Sequence, residues 1–395
     1  MNDEKSIPSV NLFSPLRLRN LELPNRIVIS PMCTYSAEDG IANDWHFAHL
    51  AKFALGGAGT IFVEATAIDP DGGLSCGDLG LWADAQIEPL KRIADFMKAC
   101  KTIPAIQLGH AGRKASSQRP WIGNGALTDK DREYGDSPWQ TVSAGSVPVN
   151  EAWPAPKPLT LERMDAMRTS WRTATQRALQ AGFEILEVHM AHGYLLHQFL
   201  SPLTNTRTDE YGGSLLNRMK YPLEIAKIVR DTWPQDKPVF VRISTLDEGW
   251  SLDDSIVLSR ELKAIGIDVV DCSTGGLGRS PQALRVSRGY GFQVPFAEKI
   301  KQEAEVLTMA VGLILDAELA NNIVALGKSD LVAIGRGALE DPNWPLRAHR
   351  ALHPEGQLFA GWPKQYGIWL AQRERILDKI RSDEQAALIP AHRLN

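Results

Sequence analysis

The stretch with the clearest chemical potential is His189-Met190-Ala191-His192-Gly193-Tyr194, which leaves an apolar run and enters a turn. Two imidazoles three residues apart at such a point can face one ligand atom. They can bind a metal ion or donate two hydrogen bonds to one oxygen, and they can also be structural histidines. Zinc usually has a third protein ligand, for which His110 or Asp271 would serve. The residue types alone leave these three interpretations open.

A second candidate is Gly335-Arg336-Gly337, which follows an apolar run late in the chain. Glycines let backbone N–H groups approach a ligand and an arginine adds a charge-assisted hydrogen bond, so the triplet suits a phosphate. The same triplet also forms ordinary tight turns. Its position after the last of the predicted strands favours phosphate, because many barrel enzymes bind phosphate there.

Two further side chains stand out against apolar surroundings. Arg242 interrupts an apolar run, where a buried guanidinium needs an anionic partner. That partner is either Glu187 or Asp271, or the negative part of a cofactor. Cys33 also follows an apolar run and is either a small core residue or a reactive thiol.

All these stretches end short apolar runs that alternate with helical patterns. The eight predicted strands are Ile27 to Ser30, Thr60 to Glu64, Ile103 to Leu108, Glu184 to His189, Val239 to Ser244, Asp268 to Ser273, Leu307 to Val311 and Leu331 to Gly335. The seven predicted helices are Phe47 to Leu55, Ile87 to Ala99, Leu161 to Ala181, Asn217 to Thr232, Ser255 to Ile265, Phe296 to Glu303 and Ala317 to Leu326. Strands apolar throughout are typical of a parallel sheet that is covered on both faces.

Eight such strands could form an open doubly wound sheet or a closed (β/α)₈ TIM barrel. The Gly-rich turn expected after the first strand of a dinucleotide-binding open sheet is absent, since the chain reads Ser30-Pro31-Met32-Cys33 there. We therefore predict the barrel. Barrel active sites form where the strands end. That rule selects Pro31, Met32, Cys33, Tyr35, Gln107, His110, His189, His192, Tyr194, Arg242, Gly312, Gly335 and Arg336.

Composition narrows the function classes. Hydrophobic residues make up 44% of the 395 residues and charged ones 23%, which is typical of a globular protein. The 43 Lys and Arg against 47 Asp and Glu leave a net charge of −4, so general nucleic-acid binding is disfavoured. No apolar run approaches the ~20 residues of a membrane helix and the N-terminus has no leader pattern, which predicts no membrane association and a cytoplasmic location. The four cysteines form no CxxC pair.

The sequence predicts one core domain with an insertion and a C-terminal tail. We expect a single domain over residues 1–395, with the barrel over about 12–345. A Gly-, Pro- and Trp-containing insertion over 116–158, after the third strand, is expected to act as a lid. A tail over 361–395 carries Tyr366 and Trp369 and is expected to dock on its own barrel or on a neighbouring subunit.

Several separated motifs, in the right order, resemble the old yellow enzyme family of FMN-dependent ene-reductases, and especially its shorter bacterial subgroup. They are Leu12-Phe13-Ser14-Pro15, Pro24-Asn25-Arg26, Ser30-Pro31-Met32-Cys33-Thr34-Tyr35, Gln107-Leu108-Gly109-His110-Ala111-Gly112-Arg113, and the block from His189 to Arg218 with Tyr211-Gly212-Gly213-Ser214. The resemblance covers Leu12 to about Trp369. It implies a TIM barrel with an N-terminal β-hairpin cap and an FMN cofactor reduced by NADPH or NADH.

The resemblance also implies roles for individual residues. The FMN ring would contact Ser30, Pro31, Met32, Cys33, Ala65, Gln107 and Arg242, and its phosphate would contact Gly312, Gly335 and Arg336. His189 and His192 would bond a substrate carbonyl, Tyr194 would donate a proton, Tyr35 would contact substrate, and Cys33 would tune the flavin. The implied substrates are α,β-unsaturated carbonyl compounds and also nitro compounds, and the implied assembly is a homodimer or larger homo-oligomer.

One departure from the subgroup lies in the tail. Members often carry an arginine beside a C-terminal tyrosine that reaches the neighbouring subunit, whereas this chain reads Gln365-Tyr366-Gly367-Ile368-Trp369. We assign no arginine of this kind. Two other functions stay open on sequence: a metal-dependent barrel hydrolase using His110, His189 and His192, and a catalytically idle flavin-binding barrel.

Overall fold

The structure is a computed structural model that describes residues 10–278 and 286–388, so the last part of the predicted tail, 389–395, lies outside the described residues. Its strands are β1 (Leu16–Leu18), β2 (Leu21–Leu23), β3 (Ile27–Ile29), β4 (Thr60–Ala67), β5 (Ile103–Gly109), β6 (Val142–Ser143), β7 (Lys157–Pro158), β8 (Ile185–Met190), β9 (Val239–Ser244), β10 (Val269–Ser273), β11 (Leu307–Val311) and β12 (Leu331–Ile334). The eight predicted strands are all present, each within three residues of its predicted ends.

Helices separate the barrel strands. They are α1 (Asp44–Leu55), α2 (Ile87–Ala99), α3 (Leu161–Gln180), α4 (Leu195–Leu200), α5 (Leu215–Thr232), α6 (Leu252–Ile265), α7 (Val294–Ala304), α8 (Ala317–Ala325), α9 (Arg336–Glu340), α10 (Trp344–Leu352) and α11 (Lys364–Leu388). The short helices α4, α9 and α10 and the 25-residue helix α11 were not predicted.

The eight-stranded sheet is a closed barrel in the order β10-β11-β12-β3-β4-β5-β8-β9, and every neighbouring pair in it is parallel. The prediction of a closed parallel barrel is confirmed. Closure between β3 and β12 joins the first and last barrel strands, with Ile29 opposite Ile334. The C-terminal ends of all eight strands therefore meet at one mouth.

Two apolar cores hold this arrangement. One fills the lower barrel with side chains that point inward, such as Phe62, Phe240 and Met309, and it includes Leu18 and Leu23 of the antiparallel β1–β2 hairpin. The hairpin thus caps the bottom of the barrel, as the resemblance implied. The larger core lies between the strands and the surrounding helices. Apolar packing closes the lower end and leaves polar side chains to the mouth.

Strand β4 contains an irregularity that shapes the mouth. Val63 is opposite Ile106 and Ala65 is opposite Gln107, so Glu64 is an extra residue with no partner in the ladder. Such a β-bulge shifts which side chains face inward beyond it. The bulge also explains why β4 continues to Ala67, whereas the sequence predicted a strand that ends at Glu64.

The insertion and the tail lie outside the barrel. The insertion contains a 3₁₀ turn over Asp129–Tyr134 and the short parallel pair β6–β7. In the tail, α11 is tied to α10 by an ion pair of 3.5 Å between Glu374 and Arg350, while Trp369 is 68% exposed. Within the described residues, no helix has the length and apolar character needed to cross a membrane.

Candidate active site

A cavity of about 890 Å³ opens at the mouth of the barrel, a size in the usual range for small-molecule sites. Its walls come from the ends of β3, β9, β10, β11 and β12. Seven of the predicted cofactor residues line it: Ser30, Pro31, Met32, Arg242, Gly312, Gly335 and Arg336. Residues far apart in sequence thus share one space.

Two smaller cavities lie beside the main one. The first, of about 20 Å³, is bordered by Ala65, His110, His189 and Tyr194. The second, of about 160 Å³, is bordered by Tyr35 and Tyr194 together with insertion residues. The insertion residues are Ser117, Gln118, Pro120, Asn124 and Trp153. Tyr194 belongs to both, and the insertion lies against the site, where a lid would have to lie.

The two histidines and the tyrosine form one aromatic cluster. The ring centroids of His189 and His192 are 5.1 Å apart and their planes are nearly perpendicular. The Tyr194 ring lies 4.7 Å from that of His189 and 6.4 Å from that of His192. The spacing predicted from sequence therefore does bring the three side chains together.

Close backbone contact fixes the turn that carries His192. His192 has a positive φ of 59°, a conformation that is costly for a residue with a side chain. Gly276 packs so closely that a Cβ on it would lie 2.4 Å from the His192 Cα, and a Cβ on Gly193 would lie 2.4 Å from the Gly276 carbonyl oxygen. The His192 amide also donates to Ser244 Oγ at 2.9 Å. Neighbouring loops thus hold the strained residue in place.

Local hydrogen bonds restrict the protons on both imidazoles. The Ala191 amide donates to His189 Nδ1 at 3.2 Å, which places the proton of neutral His189 on Nε2. His192 Nε2 lies 2.7 Å from Ser273 Oγ. Donation by that hydroxyl would leave the proton on Nδ1, free to reach a ligand. Burial, together with the nearby Arg242 cation, holds the pKa of each histidine well below 6.5, so both are neutral at pH 7.

Tyr194, Tyr35 and Cys33 are also neutral near pH 7. Tyr194 keeps part of its surface open to the cavity, yet the surrounding protein desolvates its hydroxyl and raises its pKa well above 10. Desolvation also raises the pKa of Tyr35 above 10 and that of Cys33 well above 9. Cys33 is therefore a thiol, and the interpretation of it as a reactive thiolate is not favoured.

Arg242 belongs to a buried polar group beneath the cavity. Its Nε lies 3.0 Å from Asp271 Oδ2, but the N–H does not point at the carboxylate, so the contact is an ion pair without a hydrogen bond. Gln107 donates to Glu187 Oε1 at 2.7 Å. Burial and the Asp271 charge raise the pKa of Glu187 well above 4.5, while burial raises that of Asp271 to about 6. Asp271 rather than Glu187 is the protein partner of Arg242.

The residues at the main cavity fit a flavin mononucleotide. Ser30 Oγ is buried without a hydrogen-bond partner among the described residues, as expected of a group that meets a polar ligand, and the Arg242 cation lines the same cavity. Gly312 has a φ of 125°, and a Cβ there would lie 2.9 Å from Gln293 Nε2, so the backbone has no room for a side chain. The Arg336 side chain is exposed at the same rim, where an anion can reach it.

The alternative of a metal site on His110, His189 and His192 finds no support. Over residues 10–278 and 286–388, the one group of three potential ligands within reach of a common ion is Asp69, Asp71 and His110. Arg163 already neutralises those carboxylates, at 3.2 Å from Asp69 and 3.0 Å from Asp71. His110 Nε2 lies 3.5 Å from Asp71 Oδ1 and is not grouped with His189 and His192, so the hydrolase interpretation finds no support among the described residues.

Sequence analysis missed three residues that shape the site. Lys114 donates to the His192 carbonyl oxygen at 2.7 Å, and its Nζ lies 5.7 Å from the Tyr194 ring. Gln293 accepts from Thr274 at 2.7 Å beside the main cavity. Glu64 bonds the segment that carries Cys33 and Tyr35. Of the three, Glu64 alone gave a signal in the sequence, as a charged residue in an apolar strand. That signal did not reveal its partner, the Thr34 amide.

Comparison with known proteins agrees with this geometry. The sequence profile of the NADH:flavin oxidoreductase / NADH oxidase family matches residues 11–355. An NADPH dehydrogenase of Listeria monocytogenes is 40% identical over 361 residues, which cover 90% of this chain and 98% of the relative. An NADPH dehydrogenase of a Geobacillus species is 40% identical over 346 residues, 86% and 94% of the two chains.

Solved structures show the same architecture. Morphinone reductase superposes with a TM-score of 0.71 at 26% identity, over 88% of this chain and 91% of the other. A 2-naphthoyl-CoA reductase superposes with a TM-score of 0.77 at 23% identity, over 87% of this chain and 52% of its own length, a likeness of fold. With FMN as cofactor and a reduced nicotinamide nucleotide as electron donor, the chain belongs to the NADH:flavin oxidoreductase / NADH oxidase family, that of old yellow enzyme.

Proposed function

We propose that this NAD(P)H-dependent flavoenzyme reduces the C=C bond of α,β-unsaturated carbonyl compounds in a ping-pong cycle, and that nitro compounds are also acceptors. The observation that carries the proposal is the cluster of His189, His192 and Tyr194. Two neutral imidazoles and a neutral phenol have ring centroids within 6.4 Å of one another, and His189 and Tyr194 border the same small cavity. The two imidazoles can donate hydrogen bonds to one substrate oxygen, and the phenol can donate a proton to a substrate carbon.

The chemistry assigns a separate task to each side chain. FMN, when bound, would supply the hydride transfer from NAD(P)H to the β-carbon of the substrate. Negative charge then develops on the carbonyl oxygen, where each well-placed imidazole N–H donor stabilises the transition state by up to ~3–4 kcal/mol. Tyr194 donates its phenolic proton to the α-carbon, and solvent later restores that proton. A neutral imidazole can fill this role because it keeps one N–H group that donates a hydrogen bond.

The cofactor would be held by the chain's own polar and glycine residues. The ring would be held by Ser30, Pro31, Met32, Cys33, Ala65, Gln107 and Arg242, and the phosphate by Gly312, Gly335 and Arg336. The first assignment is supported by Arg242, a cation that lines the main cavity. Tyr35 borders the same 160 Å³ cavity as Tyr194, which supports a substrate-binding role.

The proposal extends to the organisation of the chain. Residues 1–395 would form one domain in which the insertion over 116–158 acts as a lid and the tail over 361–395 as an appendage. The chain would assemble as a homodimer or larger homo-oligomer. The exposed apolar residues of α11, Trp369 and Ile376 among them, support a contact there.

The test follows the two half-reactions separately by flavin absorbance under anaerobic conditions. NADPH or NADH should bleach the purified enzyme, and cyclohexenone should restore the oxidised spectrum with formation of cyclohexanone. Reoxidation by dioxygen but not by any enone, over a panel of cyclic and linear enones, would contradict the proposed substrate class while leaving the flavin assignment intact.

A further inference from the structure

The bulged residue of β4 is a buried acid that the mechanism above does not use. Val28 and Phe62 face the barrel interior, and beyond Phe62 the bulge lets Ala65 stand beside Gln107. Glu64 is turned away from the ladder, and its side chain is 4% exposed. An ionisable group placed by a bulge beside an active site is a feature with a structural cause.

Glu64 contacts two elements. Its Oε2 accepts the Thr34 amide at 2.7 Å, which ties it to the segment between β3 and α1. Its Oε1 lies 3.8 Å from His46 Nε2 on α1, and both atoms lack a hydrogen-bond partner among the described residues. Since the Asn43 amide donates to His46 Nδ1 at 3.1 Å, the proton of neutral His46 lies on Nε2, which faces Glu64 Oε1 without a hydrogen bond.

The segment held by Thr34 is strained. Tyr35, the next residue, has a φ of 52°, which costs about 1–2 kcal/mol for a residue other than glycine. A Cβ on Gly77 would lie 2.2 Å from the Tyr35 carbonyl oxygen, so the turn is also confined from the opposite side. Such conformations persist only where neighbouring contacts enforce them.

We infer that Glu64 is a positioning residue for substrate binding: it holds the Thr34 amide and so fixes the strained Tyr35 turn, and a change of its charge beside His46 alters that hold. This inference rests on the proposed function in that Tyr35 borders the substrate cavity. The inference requires that the Glu64 side chain stay in place when it changes its charge. The 2.7 Å hydrogen bond from the Thr34 amide holds it there.

The other titratable groups around Glu64 have pKa values that differ from that of Glu64. Burial raises the pKa of Glu64 to about 8, and the Thr34 amide opposes that rise. His46 and His49 of α1 face the same gap, and burial lowers the pKa of each to about 4. Burial raises the pKa of Asp78 to about 6, and that of Cys33 well above 9. Near pH 8, Glu64 is the member of this group that changes charge.

Two substitutions distinguish the hydrogen bond that Glu64 accepts from Thr34 from the ionisation of Glu64. Glu64→Gln keeps an oxygen that can accept the Thr34 amide but cannot ionise. Glu64→Leu keeps the approximate volume and leaves the amide unpaired. Glu22→Gln, at an exposed position of the hairpin on the far end of the barrel, makes the same chemical change as a matched control. The readouts are the absorbance spectrum of oxidised bound FMN and the Kd of cyclohexenone, both from pH 6.5 to 9.

For wild type and Glu22→Gln, the spectrum and the Kd should change with a midpoint near pH 8. Glu64→Gln should match wild type at pH 7 and lose this transition. Glu64→Leu should weaken cyclohexenone binding by about 5- to 100-fold, the usual effect of an unpaired buried amide. Should Glu64→Leu fail to fold, the Glu64→Gln profile alone decides.

A transition near pH 8 that persists in Glu64→Gln, its absence from wild type, or unchanged binding in a folded Glu64→Leu would overturn the inference. A wild-type enzyme that binds FMN but shows no response to any enone would instead contradict the proposed function. In that case the pH profile of the flavin spectrum still decides the role of Glu64.

Discussion

Replacing Tyr194 by phenylalanine removes one hydroxyl and keeps the ring that packs 4.7 Å from His189. Because the Tyr194 pKa is well above 10, the phenol is fully protonated in wild type at pH 7, and the variant loses the entire contribution of the acid. A positioned general acid is typically worth ~10²–10⁴-fold, or about 3–5 kcal/mol in the barrier. Reoxidation of reduced enzyme by cyclohexenone should slow by that factor.

The stopped-flow assay records both half-reactions with the same flavin signal. Reduction by NAD(P)H should be nearly unchanged in Tyr194→Phe, because no carbon is protonated in that step. Reoxidation by a quinone, or by a nitroalkene whose adduct needs no protonation at the enzyme, should slow much less than reoxidation by the enone. Tyr134→Phe, on the 66% exposed face of the insertion, is the matched control and should alter neither step.

Two outcomes would refute the reasoning for Tyr194. Equal slowing of both half-reactions would indicate a general disturbance of the site. An unaltered enone step would assign the proton to water or to another side chain, of which Tyr35 is the nearest candidate by its place on the same cavity. Testing Tyr35→Phe in the same assay distinguishes the last two.

Four other perturbations test separate parts of the site. Arg336→Ala should lower FMN affinity by about 10-fold or more through loss of a charge-assisted contact worth ~1.5–3 kcal/mol, as measured by flavin fluorescence; unchanged affinity would remove Arg336 from the phosphate site. Cys33→Ala should shift the flavin midpoint potential with no change of fold, and an identical potential would return Cys33 to a packing role. His189→Ala should slow enone-driven reoxidation by ~10²-fold or more. In wild type, lowering the pH from 7 to 6 should leave the binding of neutral carbonyl ligands unchanged, because the His189 pKa lies well below 6.5. The free energy of unfolding of wild type should fall between pH 5 and pH 8 relative to that of Glu64→Gln, because the raised pKa of Glu64 makes the folded state bind the proton more tightly, so that stability is full below the unfolded pKa and is lost as the pH rises to about 8. At ~1.4 kcal/mol per pKa unit the change is of the order of a few kcal/mol, and parallel urea-unfolding midpoints for the two proteins would contradict it.

The barrel was predictable because its strands are short apolar runs with few competing readings. Residues such as Val239 to Ile243 are buried on both faces, and that requirement leaves a direct mark on composition. The hairpin cap and α9 to α11 leave no such mark, since three-residue strands and short or exposed helices bury too little apolar surface. The fold class therefore followed from the pattern of apolar runs and the hairpin cap from the family resemblance alone, while α9 to α11 were not predicted.

The site was predictable only where residues are neighbours in sequence or follow a strand. His189, His192 and Tyr194 satisfy that condition, and the structure brings them together. The role of Glu64 depends on a bulge, which shifts register by one residue and cannot be read from the order of side chains. The partner of Arg242 depends on the alignment of β9 with β10, which the sequence left undecided between Glu187 and Asp271.

The seam where β3 meets β12 has a consequence for folding. Ser30 and Gly335 directly follow the two strands that close the barrel, and both border the main cavity. A ligand that spans this cavity would bind the residues that follow the first and the last barrel strand at the same time. Binding to the folded state alone adds RT ln(1 + [L]/Kd) to stability, about 2.7 kcal/mol at a hundredfold excess over Kd. Because Ser30 and Gly335 follow the first and the last strand of the barrel, such a ligand would also stabilise the closed barrel against opening along this seam.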